Sequence, residues 1–185
     1  VNAILKVQEG PRQAIRSISL SGVRLFPPEE ILKGLVEVAG GPYFSPNVRR
    51  DLGIIESFYL NHGIRGTRIT PRVEASGQGL VALTFEIEEG TPVAIQSILV
   101  SGNRRTREAV INKELRVRKG GPADQSLIVE SKRRLEGLGV FSEVRTEEVL
   151  TEPGKESLVV TVQEGEVNYA GVGLGFESTN AVPSA

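Results

Sequence analysis

The sequence contains no Cys, no Met and no Trp, and it has a single His. Without Cys there is no disulfide framework, no thiolate chemistry and no cysteine-ligated metal site. The formal net charge of -1 is unlike that of a nucleic-acid-binding domain, which usually presents a strongly basic face. No stretch approaches the roughly 20 continuous apolar residues of a membrane-spanning helix. The composition therefore disfavours redox, cysteine-metal and nucleic-acid functions.

The composition suits folded domains. The chain has 185 residues, which is enough for two small domains of roughly 75–80 residues each. Hydrophobic residues make up 39% and charged residues 24% of them, so the domains can bury cores. The chain has no initiating Met and no signal-type apolar run, so we expect it to be a segment of a longer protein.

The most informative feature is an internal repeat, which is the first pattern to seek in a new sequence. Two Ser-Gly turns and two Gly-Gly-Pro turns recur 80 residues apart, at Ser21-Gly22 and Ser101-Gly102 and at Gly40–Pro42 and Gly120–Pro122. A Glu-Gly pair closes each unit, at Glu89-Gly90 and Glu164-Gly165, and an earlier pair stands at Glu9-Gly10. We therefore divide the chain into 1–10, the tail of a preceding module; 11–90, module A; 91–166, module B; and 167–185.

Each module carries the same order of signals. A β-branched strand comes first, at Ala14–Leu20 and Val93–Val100. A first helix follows Pro27-Pro28 or Thr106, with an apolar face of Ile31, Leu32, Leu35 and Val36 in module A and Val110, Ile111 and Leu115 in module B. A second helix is predicted to be capped by Ser45 or Asp124, and Gly63 or Gly139 ends it.

A strand hairpin ends each module. Leu83, Phe85 and Ile87 alternate with polar residues, as Leu158, Val160 and Val162 do in module B. This is the period of a half-buried strand. One sheet face must then meet the two helices while the other contacts water, so we predict an α+β fold of two βααββ modules.

Several segments resemble a known family. They are Ser101-Gly102-Asn103, Lys113–Arg116, the run from Lys132 through Leu135–Phe141, Val162–Glu164, and Phe58–Ile64 in the first copy. In these segments the chain resembles the POTRA repeats of BamA-type outer-membrane insertases. The resemblance implies tandem POTRA modules, each with a three-stranded mixed sheet packed on two helices, in strand order 1-3-2 with the second strand at an edge.

The last residues show a different pattern. In Tyr169–Ser178, Gly171, Gly173 and Gly175 alternate with apolar residues, as a transmembrane barrel strand does. In the resembling family the last POTRA leads into the first barrel strand, so 167–185 is predicted to begin that strand and the two modules to be the barrel-proximal pair. A Gly-rich tail is the alternative.

An exposed edge strand can bind an extended peptide through main-chain hydrogen bonds. The edges are predicted at Arg65–Ala75, with Thr67, Ile69 and Val73 as peptide-binding residues, and at Ser142–Leu150, with Val144, Thr146 and Val149. Pro71 cannot donate to a ladder, so it blunts the first edge. Val144 and Val149 have opposite parity, so a bulge is predicted near Glu147-Glu148. The alternative is that both edges only contact water or the neighbouring module.

Arg116, Arg118 and Lys119 form a basic cluster. They are either a solvated face or a docking site for a partner lipoprotein or lipid headgroups. Lys119 stands where enteric BamA-like sequences carry an acidic residue, which puts the corresponding lipoprotein contact in doubt.

Two weaker signals are set aside. His62 is the only His and has no Cys beside it, so a metal site is disfavoured and a polar role at a helix end is favoured. Gly63–Gly66 looks like a nucleic-acid-clamping GXXG loop, but it precedes a predicted strand. We predict no catalytic residue, no metal site and no cofactor.

The resemblance implies a periplasmic function at the outer membrane of a Gram-negative-type bacterium, with an organellar homologue as the less favoured source. The modules would bind unfolded barrel precursors and dock accessory lipoproteins or chaperones, while the parent protein is embedded through a C-terminal barrel. No nucleic acid is implied. The alternative parent is a translocation pore or an autotransporter-assembly paralogue (TamA-like or two-partner secretion).

Overall fold

The computed structural model describes residues 13–165, which form two modules of the same architecture. Module A contains β1 (Ala14–Ser21), α1 (Pro28–Leu32), α2 (Ser45–Asn61), β2 (Ile64–Arg65), β3 (Arg68–Ala75) and β4 (Leu80–Glu88). Module B follows with β5 (Thr91–Pro92), β6 (Ala94–Ser101), α3 (Glu108–Glu114), α4 (Gln125–Gly137), β7 (Phe141–Glu152) and β8 (Lys155–Glu164). The expectations for 1–10 and 167–185 concern residues outside this described range.

Each module has one three-stranded mixed sheet. The strand orders are β1-β4-β3 and β6-β8-β7. The central strand pairs in parallel with the first strand and antiparallel with the second. This confirms the predicted α+β class and places the second long strand of each module, β3 or β7, at an edge.

The two cores lie between the sheet and the helices. Leu83, Phe85 and Ile87 of β4 pack with Ile55 and Tyr59 of α2 in the first core. In the second core Leu158, Val160 and Val162 of β8 take the same part with Ile128 and Leu135 of α4. Burying each such side chain contributes about 1.5–3 kcal/mol, so the period-two pattern of the central strand fixes which sheet face the helices cover.

The first helix is shorter than the sequence pattern predicts. α1 ends at Leu32, and Leu35 and Val36 lie in the loop that follows it. Gly34 interrupts the helical pattern at this point, and Gly costs about 1 kcal/mol relative to Ala inside a helix. Ile31 is buried, whereas Val36 is 38% exposed. The prediction that one helical face includes all four apolar residues is therefore wrong.

The two long helices begin differently. Asp124 caps α4 as predicted, because its side chain accepts the N–H of Leu127. Ser45 does not cap α2: it lies within the helix, the N-cap position belongs to Phe44, and no side chain makes a capping hydrogen bond there. Instead, the Glu37 carboxylate accepts the Phe44 N–H at 2.9 Å. The predicted Ser45 cap is therefore wrong.

A short joint connects the modules. We use this name for the antiparallel pair of β2 and β5 together with Gly63, Pro122 and Ala123. The Gly63 carbonyl accepts the Val93 N–H at 2.8 Å. Gly63 has φ of 72°, and a Cβ there would lie about 3.0 Å from both Pro122 and Ala123. Glycine is therefore required for its backbone angle and for the close approach of the two modules.

No helix among the described residues is long and apolar enough to cross a membrane.

Candidate strand-addition edges

The edge strands β3 and β7 occupy equivalent places in the two sheets. In module A a row across the sheet joins Leu20, Phe85 and Pro71. In module B the equivalent row joins Val100, Val160 and Thr146. The next row pairs Leu83 with Val73 and Leu158 with Glu148. These rows allow the edges to be compared residue by residue.

Pro71 interrupts the outer side of β3. The strand pairs continuously with β4 from Arg68 to Ala75, and a proline fits this ladder only where its nitrogen points away from the partner. Side chains and backbone groups both alternate along a strand. The N–H groups of Ile69 and Val73 therefore point to the free edge, the side facing away from β4, and the proline leaves a gap between them.

Thr67 lies outside this edge. β3 begins at Arg68, so the predicted range of Arg65–Ala75 is divided: Arg65 belongs to β2 and Thr67 to the connection between the two strands. The Thr67 hydroxyl oxygen accepts the Gly90 N–H at 3.3 Å. The geometry therefore places Thr67 at the joint.

The β7 edge is longer and uninterrupted by proline. The N–H groups of Val144, Thr146 and Glu148 point to the free edge of β7. These three positions are equivalent in register to Ile69, Pro71 and Val73 of β3. Val144 is buried and Thr146 half-buried on the helix side, whereas Val149 is 46% exposed on the opposite face. The predicted residues of β7 therefore lie on two faces of one strand.

The predicted bulge at Glu147-Glu148 is wrong. Register is continuous there, with Glu147 opposite Val159 and Glu148 opposite Leu158, and it shifts instead between Phe141 and Glu143 and between Leu150 and Glu152. Val144 and Val149 have opposite parity because Val144 lies on the helix side of the sheet and Val149 on the outer face. Glu148 takes the helix-side position that a hydrophobic residue usually fills.

Glu89 and Glu164, which belong to the Glu-Gly pairs that close modules A and B, have a structural function that the sequence pattern did not reveal. The Glu89 carboxylate accepts the Leu25 N–H at 3.1 and 3.2 Å and the Tyr59 hydroxyl at 2.9 Å. The Glu164 carboxylate accepts the Arg105 N–H at 2.9 Å and the Thr106 N–H at 2.7 Å. Each glutamate therefore fastens the end of its module to the loop after the first strand.

These contacts shift titration. The N–H groups of Thr106 and Arg105 hold the pKa of Glu164 at about 2, against an ordinary value of 4.5. For Glu89 burial works against the charged form, but hydrogen bonds from Leu25, Arg24 and Tyr59 outweigh it and lower the pKa. Burial and the Glu89 carboxylate raise the pKa of Tyr59. The fastening in both modules is therefore made by carboxylates in their charged form.

The basic cluster lies in the loop between α3 and α4. Arg116 is held on two sides: its N–H donates to Ser131 Oγ at 2.7 Å, and its side chain contacts Glu130 at 3.1 Å. Arg118 and Lys119 are exposed, and within residues 13–165 neither forms an ion pair. The two residues that remain available to a partner are therefore Arg118 and Lys119.

Within residues 13–165, the geometry defines a tandem two-layer α+β repeat in which each sheet has one antiparallel edge with no strand paired to it. The POTRA family model, described as a surface antigen variable number repeat, matches residues 13–90 and again 93–165. The chain belongs to the POTRA family and carries two tandem repeats of it.

Sequence relatives carry the name outer membrane protein assembly factor BamA. The chain is 28% identical over 179 residues to that of Nitratidesulfovibrio vulgaris, with 93% of the chain and 22% of the relative covered. It is 28% identical over 189 residues to that of Neisseria meningitidis serogroup B, with 98% and 23% covered. The chain thus spans less than a quarter of the length of these relatives.

Solved structures confirm the fold. The Haemophilus influenzae BamA POTRA3-5 structure matches with a TM-score of 0.61 and 17% identity, over 84% of this chain and 63% of that one. The Haemophilus ducreyi BamA structure lacking POTRA domains 1-3 matches with a TM-score of 0.68 and 17% identity, over 83% and 29%.

Proposed function

We propose that this chain is a non-enzymatic periplasmic POTRA region of an outer-membrane protein insertase, and that it receives unfolded barrel precursors by strand addition at β7. The observation that carries the proposal is the open β7 edge, with the N–H groups of Val144, Thr146 and Glu148 in one uninterrupted row. Main-chain hydrogen bonds make few demands on the sequence of the added strand. Such an edge suits a receptor for many different precursors.

The proposal extends to the place of the pair in its parent protein. The Gly-alternating segment Tyr169–Ser178 follows module B, and its pattern is typical of a barrel strand. We place the pair next to a C-terminal barrel, on the periplasmic side of the outer membrane. Arg118 and Lys119, exposed in the α3–α4 loop, are the docking point for an accessory lipoprotein or chaperone, or for anionic lipid headgroups.

Strand addition is tested by NMR titration of the ¹⁵N-labelled chain with a synthetic peptide of Tyr169–Ser178, used as a barrel-strand probe. We expect the largest amide shifts at Val144–Glu148, with smaller shifts at Ile69 and Val73. A peptide of the same composition in scrambled order, with the alternation removed, is the matched control. Shifts confined to α2 and α4 would rule out strand addition.

A further inference from the structure

Three charged side chains meet at the joint between the modules. Arg65 Nη2, from module A, lies 2.6 Å from Glu148 Oε2 and 3.5 Å from Glu156 Oε2, both in module B. The side chains of Arg65, Glu148 and Glu156 are 19%, 22% and 12% exposed. Charges in such a setting are screened far less than charges at a fully exposed surface.

The two glutamates are specific to module B. The rows across the sheets make Glu148 equivalent to Val73 and Glu156 equivalent to Val81. Val81 is 1% exposed, as expected for a core strand position. Module B thus has a carboxylate at two positions where its sister module has a valine, and these carboxylates face the arginine of the other module.

Contacts of its backbone and of its side chain hold Arg65 in place. Its backbone pairs with Thr91 in the β2–β5 ladder, and its Nη1 donates to the Leu60 carbonyl at 3.2 Å. A Cβ at Gly90 would overlap the Arg65 carbonyl, so the chain passes directly against this residue. Backbone and side chain are both fixed, and the guanidinium is presented to module B in one orientation.

Removing the arginine would leave two unneutralised carboxylates close together. Glu148 and Glu156 are on adjacent strands, where Glu148 is opposite Leu158 and Leu150 is opposite Glu156. Like charges at such neighbouring positions repel. Glu156 Oε2 is buried and makes no hydrogen bond among the described residues, so its compensation comes from the Arg65 charge alone.

Glu148 connects this contact to the open edge. Its N–H lies in the same outward row as those of Val144 and Thr146, while its side chain is bound to Arg65. We propose that Arg65 is a positioning residue for strand addition. It fixes β7 against module A, and a strand added along β7 passes beside the joint, so that binding of the strand depends on the angle between the modules. This inference rests on the proposed function, because it assigns Arg65 a part in binding at that edge.

The joint is tested independently of any peptide. The chain contains no Cys, so Glu30→Cys and Lys113→Cys introduce a unique pair of spin labels, one on α1 and one on α3. Electron–electron double resonance should give a narrow distance distribution in the parent pair and a broadened or shifted one with Arg65→Gln. The matched control is Arg68→Gln, which removes an ion pair of 83% and 78% exposed side chains at 3.6 Å and should leave the distribution unchanged.

Binding is then measured with the Tyr169–Ser178 peptide. We expect Arg65→Gln to weaken binding by roughly fivefold or more, the size of an ordinary coupling between sites, and Arg68→Gln to have no effect. The charge-exchanged variant with Arg65→Glu and Glu148→Arg should recover both the narrow distribution and part of the affinity. Far-UV circular dichroism of each variant establishes that it is folded.

Each outcome bears on one proposal. If Arg65→Gln leaves the distance distribution as narrow as that of the parent, the inference is wrong whatever the peptide does. If the distribution broadens while affinity is unchanged, Arg65 fixes the joint but does not position the edge, and the inference is again overturned. If the parent chain binds the peptide nowhere on β7, strand addition itself is wrong, and the distance measurement still decides whether Arg65 fixes the joint.

Discussion

Pro71 of β3 and Thr146 of β7 occupy the same position in the two sheets, opposite Phe85 and Val160 respectively. One residue lacks an N–H group and the other has one that points to the free edge. The two modules therefore have the same fold but differ in their capacity to accept an added strand.

Placing proline in β7 and threonine in β3 should reverse which module accepts an added strand. Thr146→Pro is expected to weaken Tyr169–Ser178 peptide binding at β7 about tenfold, because one backbone hydrogen bond contributes about 0.5–1.5 kcal/mol and 1.4 kcal/mol corresponds to about a factor of ten. Pro71→Thr should give larger amide shifts along Ile69–Val73 than the parent chain shows. Both are measured by NMR titration.

The control for this exchange is Thr146→Val, which changes the side chain but keeps the N–H group. It should bind the peptide like the parent chain. Equal weakening by Val and Pro would show that the side chain of Thr146, and not its amide, makes the contact.

Stability should decrease at acidic pH through Glu164 and Glu89. Both have a lowered pKa in the folded chain, so their contribution is complete above the ordinary value of 4.5 and is lost as the pH falls through their lowered folded-state pKa values. For Glu164 that folded-state pKa is about 2. Thermal unfolding followed by circular dichroism between pH 2 and pH 7 measures this slope. Glu164→Gln should lower the melting temperature at pH 7 and flatten the pH dependence, whereas Glu29→Gln, on exposed α1, should leave both unchanged.

A buried carboxylate in α2 should be essential for module A. Asp51 is 0% exposed and accepts the N–H groups of Val36 at 2.6 Å and Glu37 at 3.1 Å. Asp51→Ala leaves both groups without an acceptor and should lower the free energy of unfolding by about 3 kcal/mol or more, since each of the two hydrogen bonds to a charged group contributes about 1.5–3 kcal/mol. Urea denaturation at pH 7 measures the loss.

The equivalent of Asp51 in module B is Ser131, whose oxygen accepts the Arg116 N–H. Asp51→Ser should therefore lose less stability than Asp51→Ala, because one acceptor is retained. Equal losses for the two variants would contradict the interpretation that the loop N–H groups are the reason for a polar residue here.

The exposed basic pair should contribute to binding and not to stability. Arg118→Glu with Lys119→Glu is expected to change the free energy of unfolding by no more than about 0.5 kcal/mol, as is usual for surface substitutions. The same variant should lose salt-dependent binding to vesicles containing anionic phospholipid, measured by co-sedimentation. Arg116→Gln, at the residue that already pairs with Glu130, should bind the vesicles like the parent chain. Retained binding by the double variant would exclude these residues from an anionic surface contact.

Sequence pattern predicted the parts of the fold that depend on neighbouring residues. The alternation of Leu83, Phe85 and Ile87 identified β4 because a sheet with one wet face imposes a period of two. The Asp124 cap was also predictable, because it depends on a local contact: its partner Leu127 is three residues away. The open edges followed from the strand order implied by the family resemblance.

The sequence did not predict features that depend on distant contacts. A bulge at Glu147-Glu148 was expected because Val144 and Val149 have opposite parity. The register is continuous there instead, and Glu148 lies on the helix side of the sheet, where it is bound to Arg65, 83 residues away. The fastening by Glu89 depends on Leu25, 64 residues away. Contacts between residues so far apart leave no periodic pattern in the sequence, so only the folded structure shows them.

The parallel pairing of the first and last strands has a mechanical consequence. Each module is entered at one end of its sheet and left at the other, so a pull along the chain loads β1 against β4, and β6 against β8, in shear. Seven residue pairs on each of these ladders then share the load at once. A strand added at β7 can instead be peeled away from one end, one hydrogen bond at a time. If strand addition takes place as proposed, the added peptide is therefore released under a tension that leaves the module itself folded.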